Sequence, residues 1–270
     1  MAYPFSYYFG VSDARRHGRR VAVGVGVALA GLAAGTLVAT RPAFLVGLVA
    51  VFVGLWYARP ALARLLVPAP WQPEAWRYAP LRHALDPEGA DRWLDVGTDT
   101  GRSLVGVATA GAAPPDDTPP DPETDRAAAL AGVRVTAVDA FGTTLRGDAA
   151  RLAERNAAAA GLDAAAVRGT ADCLPVRADS QDVVTMCGAL SDLTDGAERA
   201  VAEARRVVCD DGRVGVLEPV EGGGPSVGTG GDDPLDRWAS LLADGGFDVT
   251  ASGAVSRAGS RYVYLVVEPA

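Results

Sequence analysis

Trp93-Leu-Asp-Val-Gly-Thr-Asp-Thr-Gly101 is the stretch that decides the fold. A short apolar strand carries an acid, Asp95, and runs into a turn bounded by Gly97 and Gly101 before an apolar helix over Gly101–Thr109. A turn with so little side-chain bulk lets a ligand lie against the backbone, and ligands of doubly wound sheets bind where strands end and the strand order reverses. A first strand ending this way suggests a nucleotide-like cofactor. The spacing is not G-x-G-x-x-G, so a pyrophosphate cradle, and with it a dinucleotide oxidoreductase, is unsupported.

Outward from this stretch, β-branched runs alternate with Ala-rich segments. Strands are expected at Arg92–Val96, Val133–Asp139, Ala166–Gly169, Asp182–Met186, Arg213–Glu218, Phe247–Ser252 and Arg261–Val267, with helices at Thr144–Ala160, Gly196–Val208 and Pro234–Asp244. That alternation implies an α/β fold with a parallel sheet covered on both faces. Only Gly253–Ser260 separates the last two strands, too little for a crossover helix, so these two should pair antiparallel. Two stretches read as solvated insertions or loops: Gly111–Asp125, with five prolines and five acids, and the glycine-rich Glu221–Asp233.

The second strand ends Val135-Thr-Ala-Val-Asp-Ala140. Asp139 there can accept both hydroxyl hydrogens of a ribose, or it can simply cap the next helix. Further on stand Gly169-Thr-Ala-Asp-Cys-Leu-Pro-Val176, Ser180-Gln-Asp-Val-Val-Thr-Met-Cys187 and the run from Ala202 through Arg213-Val-Gly-Val-Leu-Glu-Pro219.

Taken in order, Arg92 to Val267 resembles the class I S-adenosylmethionine-dependent methyltransferases, especially the branch similar to quinone-biosynthesis and small-molecule C- and O-methyltransferases. The resemblance implies a Rossmann-like, doubly wound seven-stranded sheet with the last strand antiparallel, and S-adenosylmethionine as cofactor. It also implies site residues: Asp95, Gly97, Thr98, Asp99 and Gly101 around the methionine part, Asp139 with Ala140 at the ribose, Thr170, Ala171 and Asp172 at the adenine, and Cys187 facing the methionine end. The family usually has Gly where Asp99 stands, which adds bulk and negative charge to the turn, and an acid is common where Thr170 stands. The catalytic residues are unknown. Asp192, Glu218 and His83 are general-base candidates, chosen by position near strand ends or by pKa range.

Upstream, Val21–Thr40 holds twenty residues without a charge and Pro42–Ala58 another seventeen, with Arg41 between them. As helices these span about 30 Å and about 25 Å, enough to cross a hydrocarbon core. They are expected to form a two-helix transmembrane hairpin, the rivals being a buried soluble hairpin and a cleaved signal peptide. Arg15, Arg16, Arg19 and Arg20 precede the first run, and Arg59 and Arg64 follow the second. This excess places both ends, and the body with them, in the cytoplasm of a cell-membrane protein. Trp56 and Tyr57 suit an interfacial belt, and Gly31-x-x-x-Gly35 a close helix approach. The expected organisation is a basic segment and hairpin over 1–64, a Pro- and Trp-rich linker with a short helix over 65–91, and a methyltransferase domain over 92–270.

All 25 basic residues are Arg, Asp outnumbers Glu, and the net charge is -8. Residues 1–64 carry +6 and the rest -14. The bias resembles proteins soluble in concentrated salt. An acidic body argues against nucleic acid, whose phosphates need clustered cations. The partners expected are instead the membrane and a small methyl acceptor such as a quinone or lipid precursor. Two histidines and three dispersed cysteines suit neither a zinc ribbon nor a disulfide framework, so no metal is expected and the cysteines read as reduced.

Overall fold

The computed structural model describes residues 7–9, 14–38, 40–66, 71–110, 130, 132–141, 143–144, 147–193, 195–220, 233–257 and 260–270. The insertion read at 111–125 lies outside them, as does the loop read at 221–233 except for Asp233. The chain divides into two compact units: residues 1–9, 73–142 and 148–270 form one, and 10–72 with 143–147 the other.

The second unit is a helical hairpin of α1 (Ala14–Leu37) and α2 (Arg41–Leu66). Its seam consists of glycines. A Cβ added at Gly24, Gly47 or Gly54 would collide with the carbonyl oxygen of Gly54, Gly31 or Gly24, and one at Gly31 would stand 2.6 Å from the Ala50 Cβ. The spacing 24–31 on one helix and 47–54 on the other is one heptad, which returns the small residue to the seam every second turn. Large apolar side chains face outward: Leu37, Val46 and Phe52 are 83%, 69% and 66% exposed. Gly18–Leu37 and Arg41–Leu62 are long and apolar enough to cross a membrane, and only 22% of each apolar window is buried. Arg20 lies over the Tyr57 ring and Arg59 over Trp56.

The first unit begins with α3 (Ala75–Leu85). It then alternates β1 (Arg92–Val96), α4 (Arg102–Thr109) and β2 (Arg134–Asp139). After the two-residue strands β3 (Thr143–Thr144) and β4 (Gly147–Asp148) come α5 (Ala149–Ala159), β5 (Asp163–Arg168), β6 (Gln181–Cys187) and α6 (Ala197–Val207). β7 (Val208–Pro219), α7 (Pro234–Asp244), β8 (Phe247–Arg257) and β9 (Ser260–Pro269) complete it. The sheet order is β5-β2-β1-β6-β7-β9-β8, with β9 antiparallel to both neighbours and the other described pairs parallel. The expected closing hairpin and antiparallel last strand are therefore present. Helix α5 starts five residues later than the spacing suggests, because the Asp148 carboxylate accepts from the Ala150 N–H and caps it there.

Apolar side chains fill both faces of the sheet. On one, Leu94, Val184, Met186 and Val216 pack with α6 and α7 through Val201, Trp238 and Leu242. On the other, Trp93, Val135 and Leu217 meet Leu81 and Leu85 of α3 and Leu104 of α4. Helix α3, read in sequence as part of a linker, is seated closely. A Cβ at Gly106 would collide with the Tyr78 ring, and one at Gly215 would lie 3.0 Å from Leu85. Buried Arg82 donates to the carbonyls of Val107 and Ala108 at 3.0 and 3.1 Å and pairs with Glu88 at 2.5 Å, satisfying acceptors that the end of α4 leaves open. Because the sheet order departs in both directions from β1, the crevice beyond β1 and β6 is the switch point of the fold.

Candidate functional site

Register places Asp95 opposite Ala137 and Thr185, and Cys187 opposite Leu217, so Asp95, Asp139 and Cys187 end or nearly end neighbouring parallel strands. Asp95 is fully buried. One of its oxygens accepts from the Thr185 hydroxyl at 2.6 Å and the other from Ser103 at 2.8 Å, while the Trp93 indole N–H donates to Thr185 at 2.8 Å. Burial pushes the Asp95 carboxyl above its usual range, against the pull of Thr185, Thr98 and Ser103. The Thr98 hydroxyl, though beside Asp95, makes no hydrogen bond of regular geometry.

The turn after β1 is held from below. Gly97 (φ 75°) and Gly101 (φ 84°) take left-handed backbone. A Cβ at Gly97 would come within 2.9 Å of the Ala189 Cβ, and one at Gly101 within 3.1 Å of the Ala153 Cα. The Gly97 N–H donates to Val138 O at 2.8 Å, and Gly101 N–H to Thr98 O at 2.7 Å. Asp99 also has positive φ (46°), which short polar side chains tolerate better than most. Its N–H donates to one Asp139 oxygen at 3.1 Å, and the Phe141 N–H to the other at 2.7 Å. Each carboxylate oxygen keeps a second lone pair, so the half-exposed Asp139 retains capacity for a hydroxyl donor.

Of the remaining expected site residues, Ala140 is exposed and its carbonyl accepts from Arg168, which also donates to Phe141 O at 3.0 Å. The Gly169 N–H donates to Asp139 O at 3.0 Å, tying the 169–176 segment to the end of β2. Thr170 is exposed and bridges Cys173, Ala171 is half-buried, and Asp172 lies 3.6 Å from Arg199. Cys187 is half-buried, and burial, reinforced by the Asp95 and Glu218 carboxylates, raises its thiol well above the usual range. Among the described residues, a Cβ at the adjoining Gly188 (φ 76°) would meet nothing within 4 Å. The turn and Asp139 are thus linked directly, Asp95 is held beneath by Thr185 and Ser103, and Thr170–Asp172 join Asp139 through Gly169.

The base candidates separate clearly. His83 is exposed on α3 and Asp192 is exposed beyond β6. Glu218 is fully buried at the end of β7 and accepts from the Leu190 and Ser191 N–H groups at 3.0 and 3.2 Å. Burial pushes its carboxyl up to about 7, against the Ser191 and backbone hydrogen bonds. It holds the loop after β6 in place.

Sequence reading missed a cluster over the rim. Arg77 donates to the hydroxyls of Tyr78 (2.6 Å) and Tyr262 (2.9 Å), lies over both rings, and pairs with Glu74 at 3.2 Å. Arg102 approaches the same Glu74 at 3.8 Å. Burial opposes the Arg77 charge, but Tyr78, Tyr262 and Glu74 outweigh it and hold the guanidinium above its ordinary pKa. The tail residues Tyr8 and Phe9 also reach the turn. Only Asn156, a polar residue on the apolar face of α5, signals their seat from sequence, and it does so without naming the partner.

Residues 123–216 match the family model described as Methyltransferase domain. Among solved structures, the chain is similar to the 4+2 cyclase SpnF (18% identity, 74% of this chain and 83% of that one, TM-score 0.51). It is equally similar to the mitomycin 7-O-methyltransferase MmcR (18% identity, 79% of this chain and 57% of that one, TM-score 0.51). A TehB-like SAM-dependent methyltransferase from Corynebacterium glutamicum shares 17% identity over 72% of this chain and 88% of that one, TM-score 0.47. No curated protein matches the chain. The likenesses to SpnF and MmcR speak to the fold, which the strand order states independently. The match over residues 123–216 and the strand order agree on one conclusion: this part of the chain has the fold of the class I S-adenosylmethionine-dependent methyltransferases.

Proposed function

We propose that this chain is a membrane-anchored methyltransferase that transfers the methyl group of S-adenosylmethionine to a small lipophilic acceptor, such as a quinone or lipid precursor. The observation that carries the catalytic half is the linked rim: a glycine-bounded turn over buried Asp95, hydrogen-bonded through Asp99 N–H to Asp139. The residues present suit the cofactor. Asp139 has lone pairs free for ribose hydroxyls, Gly97–Gly101 offers backbone, Thr170–Asp172 borders the adenine position, and no described residue crowds Gly188. When bound, the cofactor supplies an electrophilic methyl on sulfonium, and transfer is an in-line displacement that needs alignment rather than a protein nucleophile. Cys187, kept protonated by its surroundings, is a poor nucleophile and does not compete with the acceptor. Glu218 fixes the loop after β6, on the side where an acceptor would enter.

The membrane half is supported by the hairpin's arrangement, with glycines in the seam and large apolar side chains outside. A soluble core helix is mostly buried, unlike either helix here. With the flanking arginines this favours a multi-pass cell-membrane protein whose body, residues 92–270, lies in the cytoplasm behind a 65–91 linker. Anchoring raises the local concentration of a bilayer-dissolved acceptor.

Tritium-labelled S-adenosylmethionine incubated with the protein and membrane extract tests this: label should pass into the organic phase, and its retention in water would reject the acceptor class. A second reading, a methyltransferase fold kept as a binding module, is favoured by Asp99 in place of the usual Gly. SpnF, a cyclase of the same fold, shows that this architecture hosts other chemistry.

A further inference from the structure

The tail that precedes the hairpin unit folds onto the turn assigned to the cofactor. The Tyr8 N–H donates to Asn156 Oδ1 at 3.1 Å, and Asn156 Nδ2 donates back to Tyr8 O at 2.9 Å and to Thr100 O at 2.8 Å. The Thr100 hydroxyl donates to Phe9 O at 2.5 Å. Asn156, Thr100 and Phe9 are all buried. A side-chain amide buried in mid-helix must find partners for its donors and acceptor, and this one spends them on the tail and the turn together. If the tail were removed, one Asn156 N–H, its oxygen and the Thr100 hydroxyl would lose their partners, so turn and tail are ordered as one unit.

Phe9 extends the connection. Its ring lies 4.7 Å beneath the Arg102 guanidinium and stacks with Tyr7 at 5.8 Å. Arg102, the first residue of α4 after Gly101, also meets Glu74. The chain passes into the hairpin unit at Gly10 and out of it at Gln72, so the residues flanking both crossings converge on one arginine beside the glycine turn.

We propose that Asn156, Tyr8 and Phe9 are positioning residues of the cofactor site: the docked tail sets the Thr98–Gly101 turn, and cofactor affinity depends on it. The proposal rests on the methyltransferase reading and adds to it a coupling between the cofactor and the segment leading into the hairpin. By linkage, a ligand that needs the ordered turn also stabilises the docked tail.

The test uses the full chain in lipid nanodiscs with S-adenosylhomocysteine as probe. Asn156→Leu and a deletion of residues 2–9 should each weaken calorimetric affinity by on the order of tenfold or more, the effect of losing one or two buried hydrogen bonds. A peptide of residues 1–12 added to the deletion variant should restore part of the loss. Hydrogen exchange on the unaltered protein should slow at Tyr8, Phe9 and Thr100 when the probe binds, a readout that a merely structural contact would not move. Undiminished affinity in the deletion variant overturns the proposal, and so does unchanged exchange at Tyr8 and Phe9, which decides the matter even if both variants misfold. Absence of probe binding to the unaltered protein is a different result, and rejects the methyltransferase reading itself.

Discussion

The hairpin and the body obey opposite packing rules. In the body, Trp93, Leu94, Leu104 and Met186 are buried, with acids such as Asp210 on the surface. In the hairpin, Gly24, Gly31, Gly47 and Gly54 are at the seam while Leu37, Val46 and Phe52 face outward. Water drives large apolar side chains inward, whereas in a hydrocarbon environment that force vanishes and close backbone contact over small residues decides the packing. The contrast supports the proposal that the hairpin lies in a membrane and the body in water, and variants in either region test it.

The largest effect is expected in the body. Trp93→Ala removes a fully buried indole and the donor to Thr185, and should cost about 4 kcal/mol. In a body of this size that lowers the melting temperature by about 10 °C, measurable by calorimetry. A shift under about 3 °C would mean that the core is not packed as described. Next comes the pH dependence set by Glu218. Because its folded pKa, about 7, exceeds the ordinary 4.5, the native body binds an extra proton between those values. Its contribution therefore favours the folded state at the acid end and is lost as pH rises from 4.5 to about 7, by about 3 kcal/mol. Melting curves from pH 5 to pH 8 should show this decline, and Glu218→Gln should flatten it. An equal decline in the variant would assign the effect elsewhere.

The hairpin offers a test of its own. Gly54→Leu forces a side chain against the Gly24 carbonyl and should cost about 2 kcal/mol of helix association while leaving the body's melting temperature unchanged. Spin-label distances between α1 and α2 report the separation, and an unperturbed distance contradicts the glycine seam. The smallest effect is expected at Asp99. In an adapted site its carboxylate attracts the cofactor's ammonium, so Asp99→Gly should weaken S-adenosylhomocysteine binding about fivefold, near 1 kcal/mol. A tenfold or greater tightening would favour the binding-module reading instead.

Strand–helix alternation from Arg92 onward made the parallel sheet and its closing antiparallel pair legible in the sequence, because β-branched runs between Ala-rich stretches and the short 253–260 gap are local signals. The Gly97–Gly101 turn was legible for the same reason. What stayed hidden depends on distant pairing. Nothing near Tyr8 in the sequence indicates Asn156, and Arg77 lies in a segment whose prolines and tryptophans read as a connector, although Tyr262, 185 residues on, holds it. Thr185 and Ser103 around Asp95 were likewise unremarkable until the strands were aligned. Start points of helices escaped where a side chain decides them, as Asp148 does for α5.

We propose that S-adenosylmethionine lies at the rim formed by β1 and β2, with its ribose on Asp139. Calorimetric titration of the full chain in nanodiscs with S-adenosylhomocysteine tests it most directly. The expected result is saturable one-to-one binding that Asp139→Ala weakens at least tenfold, on the order of 1.4 kcal/mol or more. No heat of binding in the unaltered protein, or equal affinity in the variant, would contradict it.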